Sequence, residues 1–386
     1  MIKKIKIYIT LAAVAFSSVS CLDKYPEDAI PEGDAIRTVE EANQAVIGIY
    51  AYMKNPNLYS GLLTLLPDLQ ADLAYAVEGY TNTYGNIWRW DILPTNTEVE
   101  AVYGTLNALI GKCNFLLERI AVLEQEVDDE DYEKLQQFKG EALFARALSY
   151  SDLIKMYCKA YDPATAANEL GVVLVSSYSN TGTLKRASLK DSYQFVLDDL
   201  AQSATCLEPD ENENDESYYD TPYFTIYAVN ALYARVYLNM QEWDKAIEYA
   251  SKVIDSRKFK LSSTTEMIDS ETSYYQYMWQ YDHSTETIWK VGFTTTSYGG
   301  SLGQIFFNYD FNSFKPDYVP AEWVLNLYAD TDLRATTFFQ SYRTGYEHGL
   351  QWPLLAKYFG NQEFYEQNIL HVTMPKVFRR SEERRV

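Results

Sequence analysis

The sequence predicts a mostly α-helical fold, with tetratricopeptide-like helical hairpins as a scaffold for long irregular loops and a few short strands. Three observations carry this. Apolar residues recur at three- and four-residue spacing over several long stretches. Residues 223–255 read as a helix, a tight turn and a second helix with small residues where the two would cross. Between the periodic stretches lie two long segments rich in Gly, Asn and aromatic residues, where that spacing fails. The 386 residues are 47% hydrophobic, ample for a large core. One domain is expected over 35–386, its scaffold mainly in 35–54, 99–158 and 188–256 and its loop-rich regions in 55–98 and 267–370.

Along the chain, Lys3, Lys4 and Lys6 precede an apolar run over 7–16, and Ser18-Val19-Ser20 precede Cys21. This is the layout of an export signal over 1–20. The run is too short to span a bilayer core of about 30 Å. Cys21 after compact residues reads as a lipidation site, although Ser18 stands where a lipobox usually has Leu; the competing reading is an ordinary cleaved signal. Residues 21–34, with Pro and acidic residues, form a tether. Thr38 then opens a helix with Glu41 at capping-box spacing, and Ala42, Ala45, Val46, Ile49 and Tyr50 make its apolar stripe. Residues 55–97 read as irregular. Periodicity over 99–123 and 131–157, split by the acidic turn 126–130, predicts a helical hairpin. A β-like run at 171–175 leads to a helix over 188–206, and the pair 223–240 and 243–255 follows Pro222. Trp243 is expected to anchor that repeat, with Ala231, Ala234, Ala246 and Ala250 at its crossing. Short strands are expected at 287–293 and 304–308.

The formal net charge is −21, and removal of 1–20, with three lysines and no acids, takes it to −24. That excludes nucleic acid as a natural ligand, since phosphate binding runs on clustered Lys and Arg. Cys113, Cys158 and Cys206 remain after Cys21, an odd number that argues for core thiols rather than a disulfide framework. His283, His348 and His371 lack metal-site spacing, and the acidic stretch 210–216 lacks the glycine of a calcium loop. No metal and no cofactor is called for. The outlier is 34 tyrosines. A flat apolar face with one hydroxyl suits half-polar ligands such as sugars.

Specific residues carry a resemblance. Gly140-Glu141-Ala142, Arg146-Ala147, Tyr150, Leu153 and Tyr157 are similar to one signature helix, and Tyr103, Leu106, Cys113-Asn114 and Leu116-Leu117 to another. Arg186 to Tyr193 with Asp199-Leu200, the hairpin of 231–253, Glu286-Thr287-Ile288-Trp289 and Asp332-Leu333-Arg334 follow in the same order. The chain resembles the SusD/RagB family of glycan-binding outer-membrane lipoproteins of Bacteroidetes over nearly its whole length. One departure is the segment from Met374 to Arg379, which resembles the lead into a further helix, whereas the sequence stops at Val386; a shortened C-terminal part is expected.

The resemblance implies a non-catalytic protein, lipid-anchored at the outer membrane and facing the exterior. It would bind oligosaccharide or polysaccharide and serve a SusC-like TonB-dependent transporter. It also points to Asp72 as an acidic position beside the site. From the residues themselves, the segment 80–90 mixes Tyr84, Trp88 and Trp90 with polar groups, as ring stacking on sugars requires. Trp88 and Trp90 would share a face only in an extended chain. Tyr298 is a candidate from the other side, with Gly299 and Gly300 permitting close backbone approach. Arg146 is expected to be structural. An alternative is a helical-repeat interaction scaffold without a sugar site. Less favoured are a carboxylate-pair glycosidase and a serine hydrolase on Gly299-Gly300-Ser301-Leu302-Gly303, which lacks the strand that should run into its serine.

Overall fold

The computed structural model describes residues 35–178, 182–207, 222–309, 312–346, 351–367, 369–372 and 376–379. The expectations placed on the export signal, Cys21, the tether, the acidic stretch 210–216, His348 and the end of the chain lie outside the described residues. Helix α1 (Val39–Tyr52) starts where Thr38 Oγ1 accepts from the Glu41 amide and Glu41 returns the bond to the Thr38 amide, the capping box its spacing predicts.

The region 55–98 is more ordered than its composition suggests. It holds α2 (Leu62–Gln70), β1 (Ala74–Ala76) and the single turn α3 (Gly85–Trp88). Five leucines of α2 are buried, and Pro67 inside the helix, which forgoes one ladder bond, obscured the pattern in the sequence. The predicted hairpin is α4 (Thr97–Leu123) and α5 (Asp129–Tyr157), the second capped by Asp128. Strands β2 (Leu170–Val173) and β3 (Arg186–Ser188) pair antiparallel, and Ser188 caps α6 (Leu189–Cys206). Then come α7 (Ile226–Asn239) and α8 (Trp243–Asp255), packed through buried Ala231, Ala234, Ala246 and Ala250. Trp243 is not the expected buried anchor, being 55% exposed. Helical side chains lean toward the N-terminus, so at the first position of α8 the indole overhangs the turn.

The later part is stitched from short pieces: α9 (Tyr274–Tyr281), β4 (Thr287–Lys290), α10 (Gln304–Phe307), β5 (Tyr318–Pro320), α11 (Glu322–Leu325), α12 (Leu333–Phe338), β6 (Phe339–Arg343), β7 (Gln351–Leu355), α13 (Gln362–Glu366) and β8 (Lys376–Arg379). The strand expected at 287–293 is present as β4; that expected at 304–308 is instead the helical turn α10. Its aromatic pair, Phe306 and Phe307, is buried, and its amides turn back on the Gly303 carbonyl. Among the described residues the strands pair in antiparallel twos: β1 with β5, β2 with β3, β4 with β8 and β6 with β7.

Two buried assemblies hold these parts together. Arg146 on α5 donates to both Asp199 carboxylate oxygens on α6 (2.8 and 2.6 Å) and to Asn114 Oδ1 on α4 (2.7 Å). It is therefore structural, as expected, and it ties three helices together. An aromatic seam then joins the scaffold to the later part. Phe224 packs in tilted contact on Phe144 and Trp289, with ring centroids 4.4 and 4.8 Å apart, and Phe378 of β8 lies against Phe144 and Trp289 at 6.3 Å. Of the thiols, Cys113 is a core residue, pushed up to about 12 by burial, while Cys158 and Cys206 are half-buried; all three are free. Among the described residues, no helix is long and apolar enough to cross a membrane.

Candidate glycan platform

The site is built on the end of α2. Asp72, with φ 55°, turns the chain from that helix into β1, and the carbonyls of Gln70, Asp72 and Ala74 each receive an indole N–H. Trp90 Nε1 donates to Gln70 O at 2.9 Å, Trp323 Nε1 to Asp72 O at 3.2 Å and Trp88 Nε1 to Ala74 O at 2.9 Å. Trp323 arrives from far along the sequence because β5 pairs with β1, Tyr75 opposite Val319, and the Ala321 amide extends the pairing to Leu73 O. Each indole has thus met its only polar demand with the backbone. What remains of each ring is apolar surface.

Much of that surface stays in water. Trp90 is 63% exposed, Tyr80 62%, Tyr75 59% and Trp323 48%, whereas Trp88 is half-buried, edge-on to Tyr75 at 6.1 Å and packed on the cluster of Leu65 and Leu69. The Arg89 guanidinium lies 5.4 Å over the Tyr80 ring. The exposed indoles of Trp90 and Trp323, each held by a hydrogen bond at one edge, together with exposed Tyr75 form a candidate stacking platform with donors beside it.

The loop that carries Trp88 and Trp90 is wound rather than extended. Tyr84 (φ 62°) and Trp90 (φ 61°) both take the left-handed conformation, rare for bulky side chains and costing of order 1–3 kcal/mol each. Such conformations persist where surrounding contacts impose them, and they cluster at functional sites. Gly85 is required between them, because a Cβ there would run into the Tyr80 carbonyl. The reversal at Trp90 sends its indole back to Gln70 while Trp88 reaches Ala74, so the two rings bond to one stretch of backbone without the chain being extended.

Tyr84 also lines a cavity of about 510 Å³ with Asn57, Ser60, Ser301, Asn308 and Asp317. Burial, with Glu98 nearby, pushes its hydroxyl above the usual tyrosine range. Tyr298, 46% exposed, does not line this cavity but precedes the segment that does: the Gly300 amide donates to Ser60 Oγ at 3.0 Å, and a Cβ on Gly299 would strike that hydroxyl. The structure therefore brings Asp72, Trp88 and Trp90 together and places Tyr84 in the lining of the neighbouring cavity, with Tyr298 only close to that lining in sequence. Asp72 takes part through its carbonyl, its side chain exposed beside the rings. Sequence reasoning missed Trp323 and Tyr75. Ala74-Tyr75-Ala76 is apolar throughout, so its buried-exposed-buried alternation exists only in the fold; for Trp323 the only hint was an indole outside any apolar stripe. Residues 294–297 close a small bridge, and no strand runs into Ser301 among the described residues, so the serine motif lacks its elbow.

A family model described as "Starch-binding associating with outer membrane", SusD-like, matches residues 22–238. The chain belongs to the SusD-like family. A curated relative, SusD-like protein P2 of Formosa agariphila, is 23% identical over 257 residues, 66% of this chain; the chain spans about half, 46%, of that relative's length. A SusD superfamily protein of Bacteroides thetaiotaomicron superposes with a TM-score of 0.75 at 22% identity, over 90% of this chain and 74% of the other. The Bacteroides uniformis protein named surface glycan-binding protein A gives 0.68 at 16% identity, over 90% and 74%. These likenesses show a shared, mostly helical SusD fold.

Proposed function

We propose that this chain is a non-catalytic cell-surface protein that binds oligosaccharides or polysaccharides on the platform of Trp90, Trp323 and Tyr75. The observation that carries the reading is the trio of indoles whose N–H groups are bonded to the alternate carbonyls of Gln70, Asp72 and Ala74, so that apolar ring surface is what they offer a ligand. A pyranose has such a surface to match, its axial C–H groups, with hydroxyls around the rim for Arg89 and Asp72. Family membership and neighbours named for sugar or glycan binding support the same reading.

In this account Cys21 carries the lipid that holds the protein at the outer membrane, the segment 21–34 gives it reach, and a SusC-like TonB-dependent transporter receives the glycan. Affinity electrophoresis of the full chain against plant, fungal and host polysaccharides tests the binding step. At least one polysaccharide should retard wild type, and Trp90→Ala should abolish most of that retardation. Retardation by none would remove glycan capture and leave the helical scaffold reading.

A further inference from the structure

A second cavity, of about 260 Å³, lies away from the platform between α9, the β6–β7 hairpin and α13. Its walls follow from two periodicities. Helix α9 puts Gln276, Trp279 and Gln280 on one face at i, i+3 and i+4, and β6 puts Gln340 and Tyr342 on one face at i and i+2. Gln362 of α13 completes the amide set. The lining combines four primary amides with four aromatic side chains, Trp279, Tyr281, Tyr342 and Phe359. Gln280 and Gln362 are exposed, but Gln276 and Gln340 are half-buried, and a half-buried amide ordinarily has its donors and acceptor spent within the protein.

At Gln276 and Gln340 the acceptors are spent and the donors are not. Gln276 Oε1 accepts from the Ser273 amide and hydroxyl (3.0 and 3.1 Å), and Gln340 Oε1 accepts from the Tyr342 hydroxyl at 2.6 Å. Those bonds fix the carbonyl ends of both side chains, and among the described residues their NH₂ groups have no partner. Gln280 and Gln362 make no side-chain hydrogen bond among the described residues. Among the described residues no carboxylate lines the cavity, and the nearby cations Arg379 and Lys357 lie over the Trp279 ring at 4.0 and 5.4 Å. The volume sits just below the roughly 300–1,000 Å³ usual for ligand pockets, which admits one ring rather than a chain.

We propose that this cavity is a second binding site, for a single neutral polyhydroxylated ring such as one monosaccharide unit. Uncharged amides provide both donors and acceptors for neighbouring hydroxyls, and the Trp279 and Tyr342 rings meet the apolar edge. The site does not depend on the platform. Ligand-observed saturation-transfer NMR on the full chain, with glucose, galactose, mannose and N-acetylglucosamine as probes and glucuronate as the anionic control, tests it.

At least one neutral probe should bind saturably with a Kd of order 1 mM. Gln280→Ala with Gln362→Ala, both at exposed positions and so neutral for folding, should weaken it about tenfold with unchanged Tm, as should Gln340→Glu. Trp90→Ala with Trp323→Ala should leave it unaltered while polysaccharide retention falls. The proposal is overturned by binding of no neutral probe, by binding of glucuronate alone, by indifference to the glutamine substitutions, or by loss of monosaccharide binding in the platform variant.

Discussion

Arg146 shows what a single residue does in this molecule. Its side chain is 8% exposed and that of its partner Asp199 3%, so neither charge has water to fall back on. Removing one partner of such a pair typically costs about 3–5 kcal/mol, while replacing both with apolar groups is much milder. Arg146→Met should therefore lower the urea midpoint sharply, and Arg146→Met with Asp199→Leu should recover much of the loss. Glu141 behaves differently. It is buried and accepts from Tyr50 (2.6 Å) and Gln137 (2.9 Å), yet burial outweighs both bonds and holds its carboxyl above the usual range. The folded state then binds this proton more tightly than the unfolded chain, so the group's contribution to stability is fullest below the ordinary glutamate pKa and is lost as pH rises through the raised one. Denaturant unfolding of wild type and Glu141→Gln across that window should show the difference moving in favour of the glutamine variant as pH rises. A constant difference would contradict the assignment.

Among the elements, the α3 turn decides the geometry of the site. Gly85 has no room for a Cβ against the Tyr80 carbonyl, so Gly85→Ala should displace the loop carrying Trp88 and Trp90. Glycan retention should drop, with a stability loss of about 1–3 kcal/mol, the range for forcing strained backbone. Retention equal to wild type in a folded Gly85→Ala protein would mean that the loop does not shape the site. The long helices were legible in the sequence because α4 to α8 each repeat their apolar pattern over three or more turns. Helix α2 was hidden by Pro67, and α10 by four residues whose aromatic side chains suit a strand equally well. The platform was half legible. Trp88 and Trp90 stand in one loop, but Trp323 joins them only through the β1–β5 pairing, a long-range contact with no local signal.

Over the whole molecule, the helical scaffold and the stitched later part share one aromatic seam at Phe144, Phe224, Trp289 and Phe378. The proposed binding residues lie on the short elements carried by that scaffold, so anchoring and binding are separable in the proposed account. Cys21→Ala should move the protein out of the membrane fraction without altering its affinity for glycan, checked by fractionation and affinity electrophoresis of the released protein. Loss of binding in the released form would contradict that division. The most direct test of the central claim is calorimetric titration of an oligosaccharide from whichever polysaccharide is retained, into wild type, Trp90→Ala with Trp323→Ala, and Trp243→Ala. Trp243 is exposed to a similar degree but sits on α8. The account predicts a loss of at least about tenfold, roughly 1.4 kcal/mol, in the platform variant and no change in Trp243→Ala. Unaltered affinity in the platform variant would contradict it.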